Sequence, residues 1–226
     1  MEKRLGMIVA VEINAVASKY GQPKTREVVS GFEVTSYEVE GATLFICHTG
    51  EGEIAASAGT MLLLEKYHVS LILNFGIVGG LTAEMGQYHV AVVDKVVHYG
   101  FDTSSIDPVK KGQYPGYDSC YMSFDRNLIE VAKSVVPGLK EVTCASGDKF
   151  VGDPKEKVAL HEEWNADICE MEAAAILLIA NRAKVPSLSI KMVSDSVTGG
   201  AKEFIAEKER SASACLEVIS KIIESL

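Results

Sequence analysis

The chain has 226 residues, 47% hydrophobic and 23% charged, with Lys+Arg 22 against Asp+Glu 31 and a formal net charge of -9. This is ordinary globular composition, and the acidic balance argues against a general nucleic-acid binder, which needs a basic stripe to neutralise phosphates. The first apolar run ends at Glu12, far short of the roughly 20 residues of a membrane span, so no membrane partner and a cytoplasmic protein are expected.

Taken in chain order, short apolar runs at 5–11, 42–47, 70–75, 90–97, 142–145 and 187–193 predict strands buried on both faces. Between them, 54–68, 125–136, 154–164, 171–183 and 204–226 repeat apolar residues at helical spacing. In the last, Lys208, Arg210 and Lys221 are expected to face water. Residues 22–41 alternate as a hairpin or meander would, and 99–121, rich in Gly and Pro, predict a long surface loop of the functional or interfacial kind. The order is α/β: one mainly parallel or mixed sheet covered by helices, with 1–226 as a single domain. The five cysteines are scattered with no CxxC pair, which predicts buried reduced thiols.

Gly50-Glu51-Gly52-Glu53-Ile54-Ala55 fits a dinucleotide turn, yet Glu51 and Glu53 would face the pyrophosphate and the acidic ribose clamp is absent. A glycine turn whose acids favour a helix N-terminus is the stronger reading. Residues 74–80, NFGIVGG, predict a second glycine turn at the end of a buried strand, where ligands of open α/β sheets approach. The histidines lack metal-ligand spacing and no G-x-S-x-G occurs, so no metal and no serine elbow are expected. More informative are Ser146 to Val151 (SGDKFV), Cys169 to Ala175 (CEMEAAA) and Val193-Ser194-Asp195. The second places Glu170 and Glu172 at a helix start, where capping alone would explain them, and the third puts Asp195 at the carboxyl end of a strand.

Together these segments, with NFGIVGGL, GQYPG, SGDKFVGDPK and KMVSDS, resemble the nucleoside phosphorylase and nucleosidase superfamily, most closely its methylthioadenosine/S-adenosylhomocysteine nucleosidases. The resemblance runs along nearly the whole chain. It implies a central mixed β-sheet or barrel flanked by helices, a homodimer, and action on a purine nucleoside without metal or organic cofactor. It makes Asp195 the acid that protonates the leaving purine, with Ser194 positioning it. Glu172 would bind ribose hydroxyls and stay ionised beside the developing cation, with Glu170 and Gly79 nearby. Met171 would pack on the sugar, Phe150 stack on the purine and the Val151 backbone read its edge. One carboxyl to be protonated in an apolar site and one to stay charged is sound chemistry for this bond.

The water-activating side departs from that pattern. Asn14 stands where the nucleosidases carry the glutamate that activates water, Ile77 replaces a serine, and Lys191 replaces an arginine. Glu51 occupies a position that is apolar in those enzymes. It has either taken over the base's role with Asn14 as its orienting partner, or is a solvated turn residue. Glu12, which strand alternation points the same way as Asn14, is a further candidate. Three functions stay open: a purine nucleoside hydrolase of altered substrate range, a phosphate-dependent phosphorylase, and a nucleoside-binding protein without turnover.

Overall fold

The computed structural model describes residues 3–226. Within them the order is β1 (Lys3–Val9), α1 (Ile13–Tyr20), β2 (Thr25–Val29), β3 (Phe32–Val39), β4 (Ala42–His48), α2 (Glu53–Tyr67), β5 (Leu71–Gly80), β6 (Val90–His98), β7 (Tyr121–Ser123), α3 (Arg126–Val135), β8 (Lys140–Ser146), α4 (Pro154–Trp164), β9 (Ile168–Glu170), α5 (Ala173–Ala183), β10 (Ser187–Asp195) and α6 (Ala201–Ile223).

All the strands belong to one mixed sheet. Its path runs β10-β6-β8-β9-β5-β1-β4-β3-β2, and because β10 also pairs with β5, the first five close into a barrel. β5 lies parallel to both β1 and β10, whereas β10 meets β6 antiparallel. Closure buries β10 completely along its length, and β5 is buried at every residue except Gly79, which is half-buried. That is why both read as continuous apolar runs rather than alternating ones. The meander expected over 22–41 is β2 and β3, continued antiparallel onto β4.

The helices follow their sequence signals. Asp125 caps α3 by accepting from the Leu128 N–H at 3.1 Å, and Asp153 caps α4 ahead of Pro154 by accepting from Lys155 and Glu156. In α6 the face carrying Ala212, Leu216, Ile219 and Ile223 is buried, and the helix packs on β10 and β5.

The expected second glycine turn is instead the end of a strand, since β5 runs unbroken through Gly80. Its glycines answer crowding. A Cβ on Gly76 would lie 2.9 Å from Glu12 Oε1, and one on Gly80 would lie 1.9 Å from the Met85 carbonyl oxygen. The Gly50–Gly52 turn is a true turn, with φ of 76° and 100° at its two glycines, in the left-handed region that favours glycine. Helix α1 had no sequence forecast, because its eight residues bury only Ala15 and Val16. Among the described residues, no helix is long and apolar enough to cross a membrane.

Candidate active site

A cavity of about 330 Å³ opens where the chain leaves the carboxyl ends of β1, β4, β9 and β10, the usual ligand address in α/β sheets. Val11, Glu12, Glu51, Ile77, Gly79, Phe150, Val151, Glu170, Met171, Glu172 and Asp195 line it, joined by Lys149 and by Phe204 and Lys208 of α6. Phe150, 42% exposed, meets Phe204 edge to face at 5.2 Å, leaving an aromatic face for a flat ligand. Lys208, expected to face water, is half-buried at the mouth.

At one end, Asp195 is 1% exposed. Its Oδ1 lies 2.8 Å from the Ser194 hydroxyl, and its Oδ2 accepts from the buried Lys157 ammonium at 2.5 Å. Burial raises the Asp195 carboxyl above the ordinary aspartate range, while Lys157 and Ser194 pull it back.

At the other end three carboxyls gather around one ammonium. Glu170, the last residue of β9, caps α5 by accepting from the Glu172 and Ala173 N–H groups at 2.9–3.1 Å, and it accepts from Lys191 Nζ at 3.2 Å. The two carboxylates of the E-M-E motif therefore divide the work, because Glu172 does not cap its own helix. Its Oε1 accepts from the Gly52 N–H at 2.8 Å, in the glycine turn. The Glu53 N–H is likewise taken by Asp148 Oδ1 at 2.6 Å, so the start of α2 spends these donors on the protein's own carboxylates rather than offering them to a phosphate.

Glu172 was expected to stay ionised. Burial, with Glu170 and Glu12 close by, instead pushes it up to about 8, against the opposing pull of Lys191 and the Gly52 N–H. Lys191 is buried too, and the carboxyls around it outweigh the effect of burial and hold its ammonium above the ordinary lysine value.

Asn14 lies outside the cavity, and the expectation that it shares a direction with Glu12 is corrected. The chain enters α1 at Ile13, so Asn14 falls in the first helical turn, exposed, with Nδ2 donating to Glu209 at 3.2 Å. Glu12 holds the pocket position. It is buried, Oε1 accepting from the Ile77 N–H and Oε2 from the Val11 N–H, each at 3.0 Å. Burial raises its carboxyl, opposed by the Ile77 N–H and Lys191. Glu51 is exposed on the rim with no Asn14 across from it, so the expected Glu51–Asn14 partnership does not form.

The sequence reading missed Lys157 altogether. The signal was available: Lys157, Leu160 and Trp164 are the buried positions of α4, so a lysine sits on an apolar stripe.

The family model described as the phosphorylase superfamily matches residues 4–225. A 5'-methylthioadenosine/S-adenosylhomocysteine nucleosidase of Shewanella loihica is 30% identical over 200 residues, covering 85% of this chain and 86% of that protein. The protein of the same name from Bacillus subtilis is 29% identical over 99% of each chain. Of solved structures, the futalosine hydrolase of Helicobacter pylori superposes with a TM-score of 0.94 at 22% identity, covering 100% of this chain and 99% of that one. The 5'-methylthioadenosine/S-adenosylhomocysteine nucleosidase of the same organism gives 0.94 at 21% identity over the same shares. These two likenesses establish a shared fold.

Proposed function

The chain belongs to the phosphorylase superfamily, and from that premise we propose that it is an N-glycosyl hydrolase that cleaves purine nucleosides, with water as the nucleophile. The observation that carries this is one cavity holding, besides Glu172, two buried carboxyls at separate places along β5. Glu12 lies at Gly76 and Ile77, and Asp195 at Gly79. Two to three strand residues, roughly 7–10 Å of strand, separate the points on β5 that they touch, which leaves room for one carboxyl to protonate a leaving group while the other activates water on the far side of a sugar.

In this reading the purine lies on Phe150 beside Val151, and Asp195 delivers its proton to the ring nitrogen facing it as the electrons of the C1′–N9 bond pass to the base. The ribosyl cation forms over Met171 and against Glu172. Its attraction for the sugar grows as positive charge develops there, so the interaction strengthens in the transition state. Glu12 takes the proton of the attacking water, in place of a Glu51 base oriented by Asn14. Its raised carboxyl is better matched to that task than an ordinary exposed one. No organic cofactor or metal enters any step.

The phosphorylase reading is disfavoured by the turns themselves. Residues 49–54 and 74–81 contain no arginine, and the Gly52 N–H already holds Glu172. Pure binding is disfavoured because recognition alone has no use for a buried acid at Asp195. Methylthioadenosine and S-adenosylhomocysteine, named in the relatives above, are the leading substrates, with the changes at Glu51, Ile77 and Lys191 placing any altered preference on the sugar side. Residues 1–226 are taken as one such domain, in the cytoplasm, returning the methylthio group toward methionine salvage.

A homodimer belongs to the same proposal. Phe101 and Tyr114 of the long loop stack on each other at 4.0 Å, and a groove lined by Ile54, Leu178 and Ile179 runs beside Tyr114. Ile54 and Ile106 are 81% and 82% exposed, which fits a partner's loop closing this side. An active species sedimenting as a monomer would count against it.

The function is tested by following free base from methylthioadenosine, S-adenosylhomocysteine, futalosine, inosine and adenosine, with and without phosphate. Release independent of phosphate is expected. Strict dependence on phosphate would make the enzyme a phosphorylase, and no release from any of them would make it a binder.

A further inference from the structure

Lys157 does not itself line the cavity, yet it is 0% exposed and its Nζ is fully engaged. Asp195 Oδ2 lies at 2.5 Å, the Ser196 carbonyl at 2.6 Å and the Asp195 carbonyl at 3.4 Å. Three acceptors around one nitrogen call for three N–H donors, which only the ammonium form provides. Room for the side chain comes from Gly79. A Cβ there would stand 3.4 Å from Lys157 Cε, 3.3 Å from Asp195 Oδ2 and 3.1 Å from Cys169 Sγ.

Burying a lysine on the apolar stripe of α4 is costly, and packing gives no reason for it, since a methionine of similar length would fill the same space. The geometry points to a role in catalysis exerted through the acid. We propose that Lys157 is the positioning residue of Asp195: it fixes one carboxyl oxygen by a direct hydrogen bond from its ammonium and stabilises, with that charge, the carboxylate that Asp195 becomes when its proton leaves. This rests on the reading of Asp195 as general acid.

The proton balance is closed. The O–H bond of Asp195 breaks and an N–H bond forms on the purine, the C1′–N9 electron pair goes to the base, and water adds its oxygen to C1′ and its proton to Glu12. After the base departs, Asp195 takes up a proton from solvent and Glu12 releases one to it. Ser194 follows the change. Its hydroxyl lies 2.8 Å from Asp195 Oδ1 and 3.2 Å from the Val78 carbonyl, so it can donate to the carbonyl while the carboxyl is protonated and turn to the carboxylate afterwards.

The other groups facing Asp195 do not substitute for Lys157. Glu203 of α6 is acidic, raises the carboxyl, and is occupied by the Ser196 N–H at 2.8 Å. Cys169 of β9 is pushed by burial up to about 12 and stays a neutral thiol. Lys157 is the one cation in this set.

The test is a double-mutant cycle with full pH profiles on methylthioadenosine, using Lys157→Met, Lys157→Arg, Asp195→Asn and the double variant Lys157→Met/Asp195→Asn. For Lys157→Met the expected result is a kcat at least about 10-fold lower on its plateau with KM within about 3-fold. Its alkaline limb moves to higher pH, because the acid without its ammonium holds its proton longer. Lys157→Arg keeps the charge and should recover much of the plateau. The double variant should be no slower than Asp195→Asn alone, since a residue acting through Asp195 has nothing left to act on. The double variant also removes both buried charges together, so it tests the idea even if Lys157→Met folds poorly. An unmoved alkaline limb in a folded Lys157→Met, or losses that multiply in the double variant, would overturn the role of Lys157. A near wild-type Asp195→Asn would instead overturn the acid on which it rests.

Discussion

The two ends of the cavity solve the burial of charge differently. At the end proposed for the purine one lysine faces one carboxyl, Lys157 on Asp195. At the end proposed for the sugar one lysine, Lys191, serves Glu12, Glu170 and Glu172 together. A one-to-one pair can be electrically balanced and geometrically fixed. A three-to-one cluster is short of positive charge, and burial, joined at Glu172 by Glu170 and Glu12 nearby, raises the Glu12 and Glu172 carboxyls. A site short of a cation is suited to stabilise one that appears during reaction, whereas a balanced pair is suited to hold a proton donor in place. Bond cleavage in a nucleoside asks for the first at the sugar and the second at the base.

The comparison breaks most severely at Lys191. Lys191→Met leaves three buried carboxyls with no cation, and the expected cost is about 3–5 kcal/mol of stability at neutral pH, read by denaturant unfolding and smaller at pH 5. A loss under about 1 kcal/mol would mean that solvent, not Lys191, balances the cluster.

Next in size is the contrast between Glu12 and Glu51. Glu12→Gln should lower hydrolysis about 100-fold or more, the range of a lost general base. Glu51→Gln, at an exposed rim position, should change kcat by under about 3-fold. The reverse outcome would return the base to the glycine turn.

The smallest effect is on stability against pH. Glu172 is raised from 4.5 to about 8, so between these values the folded protein binds more protons than the unfolded chain. Its contribution is complete below about 4.5 and lost as pH rises through about 8. Glu12 and Asp195, also raised, act in the same direction. The melting temperature should fall from pH 5 to pH 8, and Glu172→Gln should flatten the slope. An unchanged slope would remove Glu172 as its source.

The sequence carried the architecture well where a pattern was dense. The buried runs became β4, β5, β6, β8 and β10, and the helix 154–164 matches α4 end to end. It failed where three-dimensional crowding decides. The NFGIVGG segment reads as a turn because glycine usually marks one, yet these glycines clear space for Glu12, Lys191 and Asp195 inside a continuous strand. The resemblance to the nucleosidases puts Asn14 in the site, but α1 begins one residue after Glu12 and turns Asn14 outward. Asp195, Ser194, Phe150, Val151 and Glu172 were legible because they lie in compact motifs. Lys157 was not, since its partner is 38 positions away in sequence.

Barrel closure also orders events in time. β10 is the strand that joins β5 to β6, pairing Leu188 with Leu73 and Ile190 with Val92, and it ends at Asp195. Pairings so distant along the chain form late, after loop entropy has been overcome. A growing polypeptide therefore carries Glu12 and Glu172 well before it has the acid or the strand that seals the apolar interior. Until β10 docks, one edge each of β5 and β6 stays unpaired, and open strand edges of that kind expose a nascent protein to aggregation.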